Sequence, residues 1–320
     1  MTDAGLRLLT MNAIESCNAR CCYCDCWRRD APPEPLTALL AAVDEAATLG
    51  AIAIRLSGGE PLLRRDLPAL VAHIRERGLV GMVCTAGKCQ LAPIEAILDA
   101  GLDVLAFSID TLQPEVFRKI RGYALDPVLR NLDALAPRRR AMGFEMVLSV
   151  VVSRLSLAGI GELLAYAQDQ DLVVSFAPFQ AGVPAATRLL ACSDADLPQV
   201  RESMNLVREA AAAGLRVING DVFLSGIADF LATRRLPEGH VCRAGNTAAI
   251  RLAGGELRLC HSLAGIPAGS LETAWSSHAA RALRTRMERL DCPGCWLSCH
   301  ADRRRPVAHR FGRPEMWEAL

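Results

Sequence analysis

Cys17-Asn18-Ala19-Arg20-Cys21-Cys22-Tyr23-Cys24 places three thiols at a C-x3-C-x2-C spacing on one short loop. An iron–sulfur cube takes four cysteine thiolates, so three on one loop leave an iron without a protein ligand. An open coordination position is what separates a catalytic metal site from a closed structural one. Zinc competes for the same residues, because C-x2-C pairs suit it as well. A second segment with chemical potential is Ser57-Gly58-Gly59-Glu60-Pro61, which follows the apolar run Ala51 to Leu56. Its two glycines let the backbone turn sharply toward a ligand, and Glu60 offers a carboxylate.

The elements that must position these residues repeat one unit over the first 220 residues: an amphipathic helix, a glycine, then a short apolar strand. Leu36, Leu39, Leu40, Val43 and Ala47 fall at helical spacing, and Gly50 closes that helix before the strand Ala51 to Leu56. Asp66 is placed to cap a helix that Gly78 ends ahead of Leu79 to Cys84. A helix near Ile94 to Ala100 feeds Asp103 to Ile109. Phe144 to Val152 follows Gly143, and a helix over Ser156 to Gln170 precedes Leu172 to Ala177. With Leu6 to Met11 as the opening strand, six βα units imply a parallel sheet with right-handed crossovers. Eight would close a full barrel, so the expected α/β fold is a partial (β/α)6 TIM-type barrel. Sites of such sheets lie at the strand C-termini. The thiol loop, Ser57 to Pro61, Thr85-Ala86-Gly87 and Ser108-Ile109-Asp110 all follow strands there. Beyond Asp194 the rhythm fades: a helix over Leu197 to Ala213 precedes a candidate edge strand at Leu215 to Ile218, and residues 221–239 read as a bridge.

A second cysteine system follows. Cys242 and Cys260 flank Arg251 to Leu259, which reads as a β-hairpin with a Gly-Gly turn, and Cys292-Pro293-Gly294-Cys295 comes after a gap. Four thiolates can ligate a cluster fully, or hold a structural zinc. Cys299 lies four residues past that pair. Arg303 to Arg305 with His309, Arg310 and Arg313 make a basic tail over 301–320.

The thiol loop, with an aromatic before its last cysteine, and the Gly58-Gly59-Glu60-Pro61 segment resemble the radical S-adenosylmethionine (SAM) superfamily. The resemblance spans residues 6–177, inside a core domain taken as 1–220. Residues 240–300 resemble the shortened "twitch" form of the SPASM domain, a small C-terminal iron–sulfur domain. In that family Cys17, Cys21 and Cys24 would hold a [4Fe-4S] cluster whose open iron is chelated by the amine and carboxylate of SAM. Gly58, Gly59 and Glu60 would meet the SAM amino group, and Tyr23 the adenine through its backbone. Thr85, Ser108 and Asp110 would hold the methionine and ribose ends, with Ala86 standing where the family has asparagine. Ser153 or Arg154 would reach the SAM carboxylate. Read from residue type alone, Ser108 and Asp110 are equally a strand-end turn and helix cap. By the same resemblance Cys242, Cys260, Cys292 and Cys295 would hold one auxiliary [4Fe-4S] cluster, making two clusters in all.

The resemblance implies reductive cleavage of SAM to a 5′-deoxyadenosyl radical that takes a hydrogen atom from substrate, with flavodoxin or ferredoxin as electron donor. An auxiliary cluster that accepts an electron gives oxidation; a cysteine that returns a hydrogen atom gives epimerisation, with Cys299 the first candidate and Cys84, Cys89 and Cys192 also unassigned. Only eleven residues precede Asn12, which favours a small natural-product substrate of sugar or aminocyclitol type over a peptide, the alternative being a peptide-modifying maturase or epimerase. A non-enzymatic zinc or electron-transfer protein is the third reading.

Composition sets the outer bounds. The 36 basic and 35 acidic residues among 320 balance, which argues against a nucleic-acid or membrane-surface partner. No apolar stretch reaches the roughly eighteen residues a membrane span needs. Asp3 and Arg7 interrupt any signal peptide, so a reducing cytoplasm is expected. There, thirteen cysteines indicate metal or redox chemistry rather than disulfides.

Overall fold

The computed structural model describes residues 5–180, 184–236, 240, 242, 244–267 and 269–297. Six strands lie side by side in chain order and all parallel: β1 (Leu8–Ile14), β2 (Ala53–Gly58), β3 (Val80–Thr85), β4 (Val104–Ser108), β5 (Glu145–Val152) and β6 (Val173–Pro178). Between them run α1 (Leu36–Thr48), α2 (Leu67–Glu76), α3 (Leu91–Asp99), the pair α4 (Pro114–Arg121) and α5 (Asp126–Leu135), the short α6 (Arg139–Met142), and α7 (Ile160–Asp169). This is the parallel, partial-barrel arrangement expected from the six βα units. Alternation along each strand decides the two faces. Leu9, Met11, Ile54, Leu56, Val83, Phe107 and Leu148 share one core with the apolar stripes of the helices. Leu8, Ala53, Val80, Met82, Val104, Ala106, Val147 and Val173 cluster on the other face, without helix residues among them. That second face is the inside of the curved sheet, which we call the lumen.

Several local expectations are corrected. Asp66 does sit at the N-cap position of α2, but no helix N–H bonds its side chain; Arg64 Nη2 donates to its carboxylate at 2.9 Å instead, because a buried guanidinium needs that partner more than the solvent-facing helix end does. Leu215 to Ile218 contributes a single parallel bridge, Val174 to Val217, rather than a strand. After α8 (Pro184–Leu190) and α9 (Leu197–Ala212), residues 221–233 are not a bridge but the packed helix α10 (Asp221–Thr233). Phe223, Leu224, Ile227, Phe230 and Leu231 repeat at helical spacing and are all buried. Gly226 at its centre would carry a Cβ only 2.6 Å from the Trp296 ring, and that ring stacks on Phe223 at 5.5 Å. A glycine that looks like a helix interruption is here a seat for a distant indole.

The cysteine-rich hairpin joins the same sheet. β7 (Ala248–Arg251) pairs parallel with β1, Leu8 opposite Ala248, and antiparallel with β8 (Leu257–Arg258) across the Gly254-Gly255 turn. Bidentate hydrogen bonds from Arg251 to Glu34, at 2.7 and 2.8 Å, fasten β7 to the segment before α1. The short helices α11 (Leu271–Ser276) and α12 (His278–Glu288) complete the described chain. Among the described residues no helix is long and apolar enough to cross a membrane.

At the opposite end of the lumen, Glu145 is fully buried between Arg139 and Arg216, both of which donate to its carboxylate. Glu145→Ala would leave two buried guanidinium groups without their shared counter-ion. We expect a loss of about 3–5 kcal/mol of stability, read as a shift of the urea unfolding midpoint.

Candidate active site at the strand C-termini

The thiol loop leaves β1 and is held by three neighbouring strand ends. From β2, Gly59 N–H donates to Ile14 O at 2.7 Å and Glu60 N–H to Ser16 O at 2.9 Å. A Cβ on Gly59 would stand 1.9 Å from Ser16 O, so only glycine allows this approach. After β3, Lys88 Nζ donates to Asn18 O at 2.8 Å while Asn18 Nδ2 donates back to Lys88 O at 3.0 Å. After β4, Cys22 N–H donates to Ile120 O at 2.9 Å, at the end of α4. The turn itself is closed by Cys24 N–H to Cys21 O and by Trp27 Nε1 to Cys24 O.

Glu60 is the hub of the polar residues. It is buried, and its carboxylate accepts from Thr85 Oγ1 at 2.8 Å, Ala86 N–H at 2.7 Å and Leu62 N–H at 3.1 Å. Burial pushes its proton affinity up, and these three donors work against that push. Gly58, Gly59, Glu60 and Thr85 therefore sit together beside the thiol loop, as their place at strand ends implied.

Asp110 is neither a free ligand nor a turn cap. It is fully buried, and Arg121 Nε and Nη2 donate to its two oxygens at 2.7 and 2.6 Å while Val151 N–H adds a third bond at 2.9 Å. Arg121 was missed in the sequence. It lies four residues after Phe117 on the buried face of α4, and an arginine on an apolar stripe is the signal that could have marked it. Its guanidinium lies 5.4 Å over the Tyr23 ring. Burial raises the Cys21 thiol, and the Arg121 charge and hydrogen bond oppose that rise. Ser108 lines the lumen. Ser153 is buried with its N–H and hydroxyl both on Ser156 Oγ, and Arg154 donates to Arg188 O and Leu189 O near the end of α8.

The thiols differ in environment. Burial lifts Cys17 to about 11, whereas a hydrogen bond from Cys26 lowers Cys24 to about 6 and raises Cys26 in turn. The ligand atoms of Cys24, Asp25 and Cys26 lie within 4.8 Å of one another. Cys26 is thus a polar partner of the loop. In the C-terminal segment, Cys242 is buried within electrostatic reach of Cys260 and Cys292, and Cys260 and Cys295 share one cavity wall. Cys299 and the tail 301–320 lie outside the described residues.

The donor set suits the cofactors considered above. Three half-buried soft thiols on one loop favour an iron–sulfur centre. Beside them Asn18 Oδ1 is buried and meets no hydrogen-bond donor among the described residues, an acceptor that a ligand amine or hydroxyl would satisfy.

A parallel sheet that gathers cysteine thiols, a buried glutamate and glycine turns at its strand C-termini defines a class of cofactor-binding α/β proteins. Residues 11–152 match the family model described as the radical SAM superfamily, and the chain carries a domain of that superfamily. Among curated relatives it is 32% identical over 219 residues to a GTP 3′,8-cyclase of Ectopseudomonas mendocina (strain ymp), covering 64% of this chain and 65% of that one. It is 33% identical over 126 residues to a PqqA peptide cyclase of Xanthomonas campestris pv. campestris (strain B100), covering 39% and 33%. The chain thus spans less than two thirds of the length of these relatives. In fold it is similar to Streptococcus suis SuiB bound to S-adenosylmethionine, with TM-score 0.71 and 16% identity over 88% of this chain and 68% of that one.

Arg121→Met would strand Asp110 as an unpaired buried carboxylate, at an expected cost of about 3–5 kcal/mol in a denaturant titration. Adding Asp110→Asn should recover part of that loss, because the double variant buries no net charge.

Proposed function

We propose that this protein is a radical SAM enzyme, in which Cys17, Cys21 and Cys24 would hold a [4Fe-4S] cluster and Gly58, Gly59, Glu60 and Thr85 would orient SAM. The observation that carries the reading is the convergence of that thiol loop and Glu60 at the C-terminal ends of β1 to β3, within the region that matches the superfamily. A cluster and SAM bound there would supply radical chemistry able to remove a hydrogen atom from an unactivated C–H bond. The chain's own part is to hold reactants and exclude water. Ser16 O and Ile14 O fix the approach of the Gly59-Glu60 backbone. The Asp110–Arg121 pair braces the loop beside Cys21 and Tyr23 without adding net charge. The lumen, lined by Ser108, Cys84 and Arg121, would receive the substrate.

Cys242, Cys260, Cys292 and Cys295 would hold an auxiliary [4Fe-4S] cluster able to accept an electron from the substrate radical, which gives oxidation or ring closure. Cys84, a thiol facing the lumen that burial keeps protonated, supports a hydrogen-return outcome instead. A lumen cavity of about 220 Å³ and the similarity to GTP 3′,8-cyclases support a small-molecule substrate. A peptide substrate is the second reading, favoured by the similarity to PqqA peptide cyclases. Flavodoxin or ferredoxin would supply the electron.

The test is anaerobic reconstitution followed by incubation with SAM and dithionite. We expect about eight irons per chain, from two cubes of four, and formation of 5′-deoxyadenosine. Cys17→Ala should abolish 5′-deoxyadenosine, whereas Cys292→Ala should lower iron toward about four and leave SAM cleavage measurable. Zinc in place of iron, or intact SAM, would sink the proposal.

A further inference from the structure

The lumen holds one arginine that the fold does not use. Arg55 leaves β2 on the inner face, four positions before Gly59, and lines both the lumen cavity and the neighbouring cavity that carries Thr10, Cys260, His261 and Cys295. Among the described residues no hydrogen bond or ion pair engages its guanidinium, unlike Arg64, Arg121, Arg139, Arg216 and Arg251, each of which meets a carboxylate. The other charged groups around the lumen have their partners: Arg121 meets Asp110 at the top, Glu145 meets Arg139 and Arg216 at the base with Asp171 beside Arg216, and the buried Glu60 carboxylate is taken up by its three neutral donors. A guanidinium carries five donors and stays charged at any accessible pH, so a site built around it is waiting for an anion.

Elsewhere on the cavity wall is a row of hydroxyls. Ser108, Ser149 and Ser175 are register partners on β4, β5 and β6 and all line the same cavity. At about 4.8 Å between strands the row spans roughly 10 Å. No side-chain hydrogen bond within the described residues uses these three hydroxyls. In β-strands a serine gains nothing over valine by facing an apolar interior, and the strands beside it bury Val147 and Val173. Three aligned hydroxyls and one unpaired guanidinium around about 220 Å³ can bind a compact polar molecule with several oxygens.

We infer that Arg55 anchors an oxyanion of a small-molecule substrate, a phosphate or a carboxylate, while Ser108, Ser149 and Ser175 bind its remaining oxygens. The inference rests on the radical SAM reading of the same lumen and adds to it the charge and size of the substrate. It also places the molecule, because Arg55 stands on the wall shared with the cavity of Cys260 and Cys295. A substrate held there lies between the Cys17–Cys24 loop and the second set of thiols.

The test is calorimetric titration of the reconstituted, SAM-loaded protein with inorganic pyrophosphate, inorganic phosphate and succinate at constant ionic strength. Saturable binding is expected for at least one probe, and the preference between the phosphates and the dicarboxylate tells which oxyanion the site takes. Arg55→Gln should weaken it roughly ten- to a hundredfold and Ser149→Ala by roughly three- to tenfold. Arg201→Gln, at an exposed position on α9, should leave it unchanged. Arg55→Met is the second variant, read alongside circular dichroism and SAM binding so that a folding defect is seen as such. Binding that is indifferent to Arg55, or absent for all three probes, overturns the assignment. SAM cleavage without Arg55-dependent anion binding overturns the anchor alone; Arg55-dependent binding without SAM cleavage overturns the radical chemistry and leaves the anion site standing.

Discussion

Two backbone hydrogen bonds, from Gly59 and Glu60 to Ile14 and Ser16, hold the end of β2 against the start of the thiol loop. They form only because Gly59 lacks a side chain, since any Cβ would overlap Ser16 O. The placement of Glu60 depends on them, and so do its bonds to Thr85 and Ala86 on the next strand. One close contact therefore aligns three consecutive strand ends. The parallel sheet supplies the rest, because every strand in it delivers its C-terminus to the same side.

The charged groups around the lumen divide into buried ones that brace the fold and the half-buried Arg55, which meets no carboxylate among the described residues. Asp110 with Arg121, and Glu145 with Arg139 and Arg216, bury charge only in hydrogen-bonded groups, the condition under which a protein interior tolerates it. These groups are paired among themselves, which leaves Arg55 as a lumen-lining arginine that meets no carboxylate among the described residues. The Arg121 charge also reaches Cys21 and the Tyr23 ring, so the brace and the thiol loop are electrostatically one unit.

The C-terminal segment is tied to the barrel more closely than its separate run of cysteines suggests. β7 adds to the edge of the sheet at β1, and Trp296 docks in the notch that Gly226 leaves in α10, donating through Nε1 to Phe223 O at 2.9 Å. The Cys292–Cys295 turn is thereby held against the same body that carries the first thiol loop.

The amino-acid sequence alone determined the strand and helix alternation, the parallel order and the thiol loop, because hydrophobic period and glycine punctuation are local signals. It also marked Gly58, Gly59 and Glu60, whose residue types are unusual at a strand end. It did not reveal that Asp110 is occupied by Arg121, since that partner lies eleven residues away across a helix and its pairing exists only once α4 packs. It misjudged 221–233, read as part of a bridge, where Phe223, Leu224, Ile227, Phe230 and Leu231 form the buried face of a helix and Gly226 makes room for Trp296. Nor could it bring Ser108, Ser149 and Ser175 to one cavity with an Arg55 that meets no partner among the described residues, because strand register is set by core packing across four separate segments. Local periodicity writes the elements into the chain, but which polar groups meet, and which are left without a partner, is decided only when the sheet closes around them.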